Sequence, residues 1–199
     1  MRLEVPFYSQ EINECGPVAL QMVFEYFGEE HDREKLKGLV ESIGELTWTS
    51  GLAKTSAQLG FPTEFYSIAL GFNPKLFDLE YYQKDGAQSA EDKIKRLYAN
   101  CLEYGVKLEE RCLTLEEIVS KIGQDCIPIV LINWGKINSA EKFIGHFVPL
   151  VGYDEKNIYV HNSGPEKPMP NYPIERSLFE TARKSVGTDE DILFIYKKQ

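Results

Sequence analysis

The sequence contains no long apolar run. No stretch of the 199 residues approaches the roughly 18 consecutive apolar residues that a membrane span needs. The first residues also lack the apolar segment of a signal peptide. We therefore expect a cytoplasmic protein that does not have a membrane as its partner.

Positive charge is scarce as well. The chain has 22 Lys and Arg against 31 Asp and Glu, which gives a net charge of −9. A surface with this charge repels nucleic-acid phosphates and anionic lipid headgroups, so neither is expected as a partner. It is compatible with a basic substrate, and equally with a solvated exterior. The hydrophobic content of 43% is typical of a globular chain.

The four cysteines lack C-x-x-C spacing, which argues against a zinc ribbon or a thioredoxin-type redox pair. Cys101 lies on the apolar stripe of a predicted helix and is expected in the core. Cys112 and Cys126 flank a short helix without a matching histidine pair. We therefore expect free thiols, with neither a metal nor a cofactor.

Hydrophobic periodicity changes along the chain, from a helical period to a strand-like one. This predicts an α+β fold in which a helical lobe packs on an antiparallel sheet, forming one domain over residues 1–199 with a helical insertion at about 72–126. Residues 163–173 are rich in Pro and Gly and predict a surface loop. The pattern predicts helices at 16–27, 33–42, 49–59, 88–103, 114–122 and 175–184, and strands at 61–69, 127–134, 147–153, 158–161 and 192–196.

Cys15 directly precedes the most apolar of these helices, where Pro17 suits the first turn. The N-terminus of a helix favours a thiolate, so Cys15 is a candidate nucleophile. A small buried hydrophobe at a helix end is the alternative. The side-chain amide of Gln10 could join the Cys15 backbone N–H in donating to the oxygen of a tetrahedral intermediate.

The search for a general base is short because the chain has only three histidines. His31 lies in a charged connector, which predicts a solvent-exposed turn outside any site. His146 begins a predicted strand and is the candidate base, although a histidine satisfied at a sheet edge remains an alternative. On the next strand, either His161 or Asn162 could lie beside it.

The register of the hairpin determines which of these two neighbours lies beside His146. With a three-residue loop at 154–156, Val148 pairs with Asn162, which then shares a face with His146. An even loop would place His161 on that face, and a β-bulge would be needed to return Asn162 to it. Both registers remain open.

Three segments together resemble the bacteriocin-processing peptidase family of papain-like cysteine peptidases. They are VPFYSQ at 5–10, ECGPVAL at 14–20 and GHFVPLVGYD at 145–154. The resemblance implies a papain-like fold with Cys15 as nucleophile, His146 as general base and then acid, and Gln10 as oxyanion-hole donor. That family usually has Asp where this chain has Asn162, and papain itself uses Asn.

The resemblance implies a cysteine peptidase or amide hydrolase that forms a thioester with a peptide or a small amide or ester substrate. An acyltransferase on the same scaffold and a catalytically silent peptide-binding module are the alternatives. Family members fused to exporters cut leader peptides after paired glycines, and this sequence shows no transporter segment. The aromatic cluster of Phe77, Tyr81 and Tyr82 could line a substrate groove, although helical spacing favours core packing.

Overall fold

The computed structural model describes residues 1–83 and 87–199. In this part of the chain, no helix combines the length and the apolar character required to cross a membrane. The helices are α1 Cys15–Tyr26, α2 Arg33–Val40, α3 Thr49–Gln58, α4 Glu80–Gln83, α5 Ala87–Glu103, α6 Leu115–Ser120, α7 Trp134–Ile137 and α8 Arg176–Arg183, with a 3-10 helix at Pro74–Asp78. The strands are β1 Thr63–Ser67, β2 Lys107–Glu110, β3 Cys126–Asn133, β4 Gly145–Tyr153, β5 Asn157–Asn162, β6 Met169–Glu175 and β7 Ile192–Tyr196.

The seven strands form one sheet in the order β2-β1-β7-β3-β4-β5-β6. Neighbouring strands are antiparallel except for β1 and β2, which run parallel. The predicted α+β class is confirmed, and the structure adds a parallel pair at one edge of a sheet that we expected to be wholly antiparallel.

Helices cover both faces of the sheet. Every residue of β3 is therefore buried, and its side chains alternate between two cores. One core joins this sheet to α1, α2, α3 and α5. The other joins its opposite face to α6 and α8. The prediction of a single helical lobe therefore describes only one of the two faces.

Helix α1 forms where the sequence predicts it, and Cys15 is its first residue. Gly28 follows with φ of 91°, a left-handed conformation that glycine adopts without a steric penalty. Residues 16–20 and 22–24 are all buried. The buried helix therefore fixes the position of Cys15 at its N-terminal end.

Two strands were missing from the sequence analysis. The charged segment Lys107–Glu110 within the predicted helical insertion forms β2 at the edge of the sheet. The prediction of a surface loop at 163–173 is wrong for its second half, because β6 begins at Met169. Strand β6 contains prolines, but it lies at the edge of the sheet. Proline is tolerated in an edge strand when its nitrogen faces the open side, where no neighbouring strand needs an N–H donor.

The hairpin of β4 and β5 contains a β-bulge. Tyr153 pairs with Ile158, so four residues separate the first paired positions, which is the even loop of the two registers left open by the sequence. The register then shifts between Leu150 and Gly152, so that Leu150 pairs with Val160. This one extra residue returns Asn162 to the face of His146.

Candidate functional site

A cavity of about 280 Å³ opens where the N-terminus of α1 meets the start of β4. The four residues that the sequence singled out for chemistry all line it: Gln10, Cys15, His146 and Asn162. They come from segments far apart in the chain, so the packing of α1 on the sheet brings them together.

The imidazole of His146 is held by Asn162, with 3.1 Å between Nε2 and Oδ1. The orientation of the Asn162 amide follows from its other bonds: Oδ1 accepts from the Gly164 N–H, and Nδ2 donates to the Lys167 carbonyl. Because Oδ1 is an acceptor, Nε2 of His146 must carry the proton. Nδ1 is then the basic nitrogen of the neutral ring.

Gly164 has no room for a side chain. A Cβ at this position would lie 2.9 Å from Oδ1 of Asn162 and 3.8 Å from Nε2 of His146. A larger residue would therefore push directly on the hydrogen bond that orients the imidazole.

The thiol of Cys15 is half-buried and lies against β4. Burial raises its pKa, while the backbone N–H groups of Phe147, Gly16 and Cys15 itself act in the opposite direction. Helix α1 has neither a side-chain cap nor an acidic residue in its first turn, so its N-terminal N–H groups stay available. The start of the helix thus favours the thiolate, as expected, but the cost of burying the charge is larger and the net direction of the pKa is upward.

His146 is buried, and burial lowers its pKa to about 4 against the opposing effect of the Asn162 hydrogen bond. Near neutral pH the site therefore holds a neutral imidazole beside a neutral thiol. Such an imidazole can accept a proton at the moment when the sulfur attacks, which is general-base chemistry.

Gln10 reaches the site through two bonds to Ser163, a buried residue that the sequence analysis missed. The Gln10 backbone N–H donates to the Ser163 carbonyl at 2.9 Å. The Ser163 hydroxyl donates to Oε1 of Gln10 at 2.8 Å. Adjacency to Asn162 in the sequence was the only available signal for Ser163.

Two aromatic residues also hold the surroundings of His146. The ring of Trp134 meets the imidazole edge to face, with 5.2 Å between centroids. The Tyr81 hydroxyl lies 3.4 Å from the Gly145 carbonyl and would be 2.8 Å from a Cβ there. Tyr81 and Tyr82 line the cavity, and both also pack with Phe77 in one satellite core, so groove lining and core packing hold together for this cluster.

The remaining histidines lie elsewhere. His161 is buried, with Nε2 2.9 Å from the Val5 carbonyl and Nδ1 accepting from the Asn171 N–H. The prediction that His31 sits in an exposed turn is wrong, because its side chain is only 13% exposed and packs on Phe24. Its Nε2 is 3.3 Å from a Glu29 carboxylate oxygen.

The cavity carries negative charge at its rim. Glu45 and Glu166 are exposed and line it, and its inner wall includes Leu46, Leu131 and Phe147. Within the described ranges, no three His, Cys, Asp or Glu side chains are grouped as a metal site would require. Cys101 is buried, as its helical position predicted.

Three solved structures share this fold. The peptidase domain of Streptococcus ComA, a bi-functional ABC transporter, gives a TM-score of 0.54 at 14% identity and 98% coverage of both chains. A double glycine motif protease from an AMS/PCAT transporter, in complex with its leader peptide, gives 0.57 at 16% identity, covering 98% of this chain and 94% of that one. A C39-like peptidase from Bacillus anthracis gives 0.58 at 14% identity, with coverage of 98% and 96%. The chain therefore has the C39-like peptidase fold that the resemblance implied.

Sequence similarity points to a differently named group. Guanylyl cyclase 1 of Arabidopsis thaliana is 27% identical over 165 residues, which cover 74% of this chain and 59% of that protein. The chain thus spans less than two thirds of this curated relative. The family model described as guanylylate cyclase matches residues 5–195. Because this match extends over almost the entire chain, the protein belongs to the guanylylate cyclase family.

Proposed function

We propose that this protein is a thiol-dependent hydrolase of amide or ester bonds, with Cys15 as nucleophile and His146 as base. The observation that carries the proposal is the 3.1 Å bond between Nε2 of His146 and Oδ1 of Asn162. It leaves Nδ1 as the basic nitrogen of a ring that shares a cavity with Cys15. The peptidase neighbours, one of them in complex with a leader peptide, support a peptide as substrate.

The first step is attack of the Cys15 sulfur on the substrate carbonyl while Nδ1 of His146 takes the thiol proton. The carbonyl π electrons move to oxygen, and a tetrahedral intermediate forms. His146 then returns the proton to the leaving group as the carbon–nitrogen or carbon–oxygen bond breaks. A thioester on Cys15 remains, and water activated by His146 releases it.

Asn162 acts through His146 by orienting the ring and by stabilising the imidazolium that forms. The Gln10 amide and the Cys15 backbone N–H are the proposed donors to the oxyanion. This arrangement uses all four residues without a metal or a cofactor.

The experiment uses p-nitrophenyl acetate as a small acyl donor with the full-length chain. Cys15→Ala should abolish the burst of nitrophenolate and the acetyl-enzyme seen by intact mass, and His146→Ala should slow acylation by about 10²-fold or more. Cys112→Ala, which removes an exposed thiol, is the matched control and should leave both unchanged. Acetylation that persists in Cys15→Ala and disappears in Cys112→Ala would refute the proposal.

The acceptor that releases the acyl group separates hydrolysis from acyl transfer. Addition of an amine such as glycinamide would yield an acylated amine if the protein is an acyltransferase, and free acid if it is a hydrolase. A protein that binds peptides but never acylates Cys15 would be the silent binding module.

Guanylyl cyclase activity is the second candidate, favoured by the family match and by the curated relative. The test is incubation with GTP and either Mg²⁺ or Mn²⁺, followed by mass spectrometry for cyclic GMP. Formation of cyclic GMP at the same rate by wild type and Cys15→Ala would establish a cyclase independent of the thiol. No product above that of heat-denatured protein would remove this candidate.

A further inference from the structure

Two consecutive residues hold the two halves of the proposed site. Asn162 bonds to His146, and Ser163 bonds to Gln10 through both its carbonyl and its hydroxyl. Ser163 is only 1% exposed, so water does not compete readily for these bonds. The end of β5 is thereby linked to the segment that precedes α1.

The bond from the Ser163 hydroxyl matters because a glutamine amide has two ends of opposite character. With Oε1 of Gln10 accepting from Ser163, the NH₂ end remains to donate elsewhere. With the amide reversed, Oε1 would face the cavity and repel the negative charge that develops on a substrate oxygen.

We propose that Ser163 is a positioning residue that fixes the Gln10 amide so that its NH₂ group donates to the oxyanion formed at Cys15. This inference rests on the proposed thiol chemistry and adds a residue to it. Ser163 touches no reacting atom, and its whole effect passes through Gln10.

Acylation by p-nitrophenyl acetate contains the step on which this bond acts. The Cys15 sulfur bonds to the carbonyl carbon, and the π electron pair moves to oxygen as the oxyanion. The pair returns as the bond to nitrophenolate breaks. Alkylation of the same sulfur by iodoacetamide displaces iodide directly and forms no oxyanion, so it reports the thiol without the oxyanion hole.

The experiment is a double-mutant cycle on the acylation rate constant. Loss of an oxyanion-hole donor typically costs about 10² to 10³-fold, so Gln10→Ala should fall in that range and Ser163→Ala should lose about tenfold. The double variant should be no slower than Gln10→Ala alone, because Ser163 has nothing left to position. Iodoacetamide alkylation of Cys15 should be unchanged in all three.

A hydroxyl-specific pair protects the test against a failure of Ser163→Ala to fold. Ser163→Thr and Ser163→Val have nearly the same shape, and only Thr keeps the donor. Acylation of Cys15 should be at least about fivefold faster in Ser163→Thr than in Ser163→Val, because only the latter loses the oriented donor. Alkylation of Cys15 by iodoacetamide should be equally fast in both variants. Equal acylation by Thr and Val, or additive losses in the double variant, would overturn the inference.

Failure of the proposed function gives a different pattern. If wild-type protein forms no acetyl-enzyme on Cys15, the thiol chemistry itself is wrong. If wild type acylates normally and Ser163→Ala matches it, the thiol chemistry stands and the role of Ser163 is refuted.

Discussion

At the scale of single residues, burial determines the protonation state of the site. His146 and Cys15 lie where a charge is poorly solvated, so the pKa of the imidazole is lowered and that of the thiol is raised. The hydrogen-bond partner of His146 is the neutral amide of Asn162 and not a carboxylate. In the proposed mechanism the attack therefore starts from a neutral thiol and a neutral imidazole, and not from an ion pair.

This arrangement predicts a low acid limb in the pH dependence of acylation. His146 must be neutral to accept the thiol proton, and its pKa is about 4. We expect kcat/KM for p-nitrophenyl acetate to fall as the pH drops through about 4, and we expect the protein to be active still at pH 5. An acid limb near the ordinary histidine value of about 6.5 would contradict it.

Asn162→Asp tests whether His146 controls the acid limb of the pH dependence. A carboxylate beside the ring favours the imidazolium and should raise the pKa of His146, which moves the acid limb to higher pH. If the limb stays in place in this variant, a group other than His146 controls it.

At the scale of elements, the N-terminus of α1 is packed tightly against the segment that leads into α3. A Cβ on Gly16 would lie 2.5 Å from Cγ2 of Thr47 and 3.0 Å from Cδ2 of Leu52. These contacts set the distance between α1 and α3 at the position of Cys15. Gly16 is required here for close approach.

Gly16→Ala should therefore displace the start of α1, lower stability by about 1–3 kcal/mol and slow the acylation of Cys15. Thermal unfolding and p-nitrophenyl acetate kinetics measure the two effects. Adding Thr47→Ser, which removes the clashing methyl, should recover part of both. Unchanged stability and rate in Gly16→Ala would show that the contact is not limiting.

A second feature at this scale is Asp191, which precedes β7 and accepts a hydrogen bond from the Thr49 hydroxyl at the start of α3. Burial raises the pKa of this carboxyl to about 7, and Asp189 nearby acts in the same direction. The folded chain thus binds a proton that the unfolded chain releases above about pH 4.

Because the folded chain holds the extra proton, the contribution of Asp191 to the free energy of unfolding falls as the pH rises from about 4 to about 7. The fall is at most about 1.4 kcal/mol per pH unit. Asp191→Asn should be more stable than wild type by a larger margin at pH 8 than at pH 5, as measured by urea unfolding. The exposed Asp78→Asn is the control and should show no such trend. A margin independent of pH would show that Asp191 is ionised in the fold.

At the scale of the whole molecule, the surface charge continues into the cavity. The chain carries a net charge of −9, and Glu45 and Glu166 stand at the cavity rim. Fields of this kind raise the local concentration of cations and accelerate their association. The acidic composition thus extends to exposed residues that line the cavity.

Cys15 should therefore react faster with a cationic methanethiosulfonate carrying trimethylammonium than with the anionic sulfonate analogue, by about tenfold at low salt. The difference should shrink as salt screens the field. The variant Glu45→Gln with Glu166→Gln should reduce the preference at low salt. Equal rates for the two reagents in wild type would show that the rim charges do not reach the thiol.

Much of the fold was readable in the sequence because its signals are local. Apolar spacing together with Pro17 predicts α1, and the helix predicted at 114–122 forms as α6, where a capping box at Thr114 begins it. Strand β7 has the predicted bounds, Ile192–Tyr196. Edge strand β2 was not predicted, because its mostly charged sequence does not alternate between apolar and polar residues.

The sequence by itself determined which residues are available for chemistry: one cysteine at the start of a buried helix, one histidine at the start of a strand, and a glutamine upstream. Only the tertiary structure decided how they meet. The bulge between Leu150 and Gly152 brings Asn162 to His146 and turns His161 away, because strand side chains alternate and one extra residue reverses their faces. Burial, which the chain acquires only when distant segments pack, raises the pKa of Cys15 by more than the backbone N–H groups lower it.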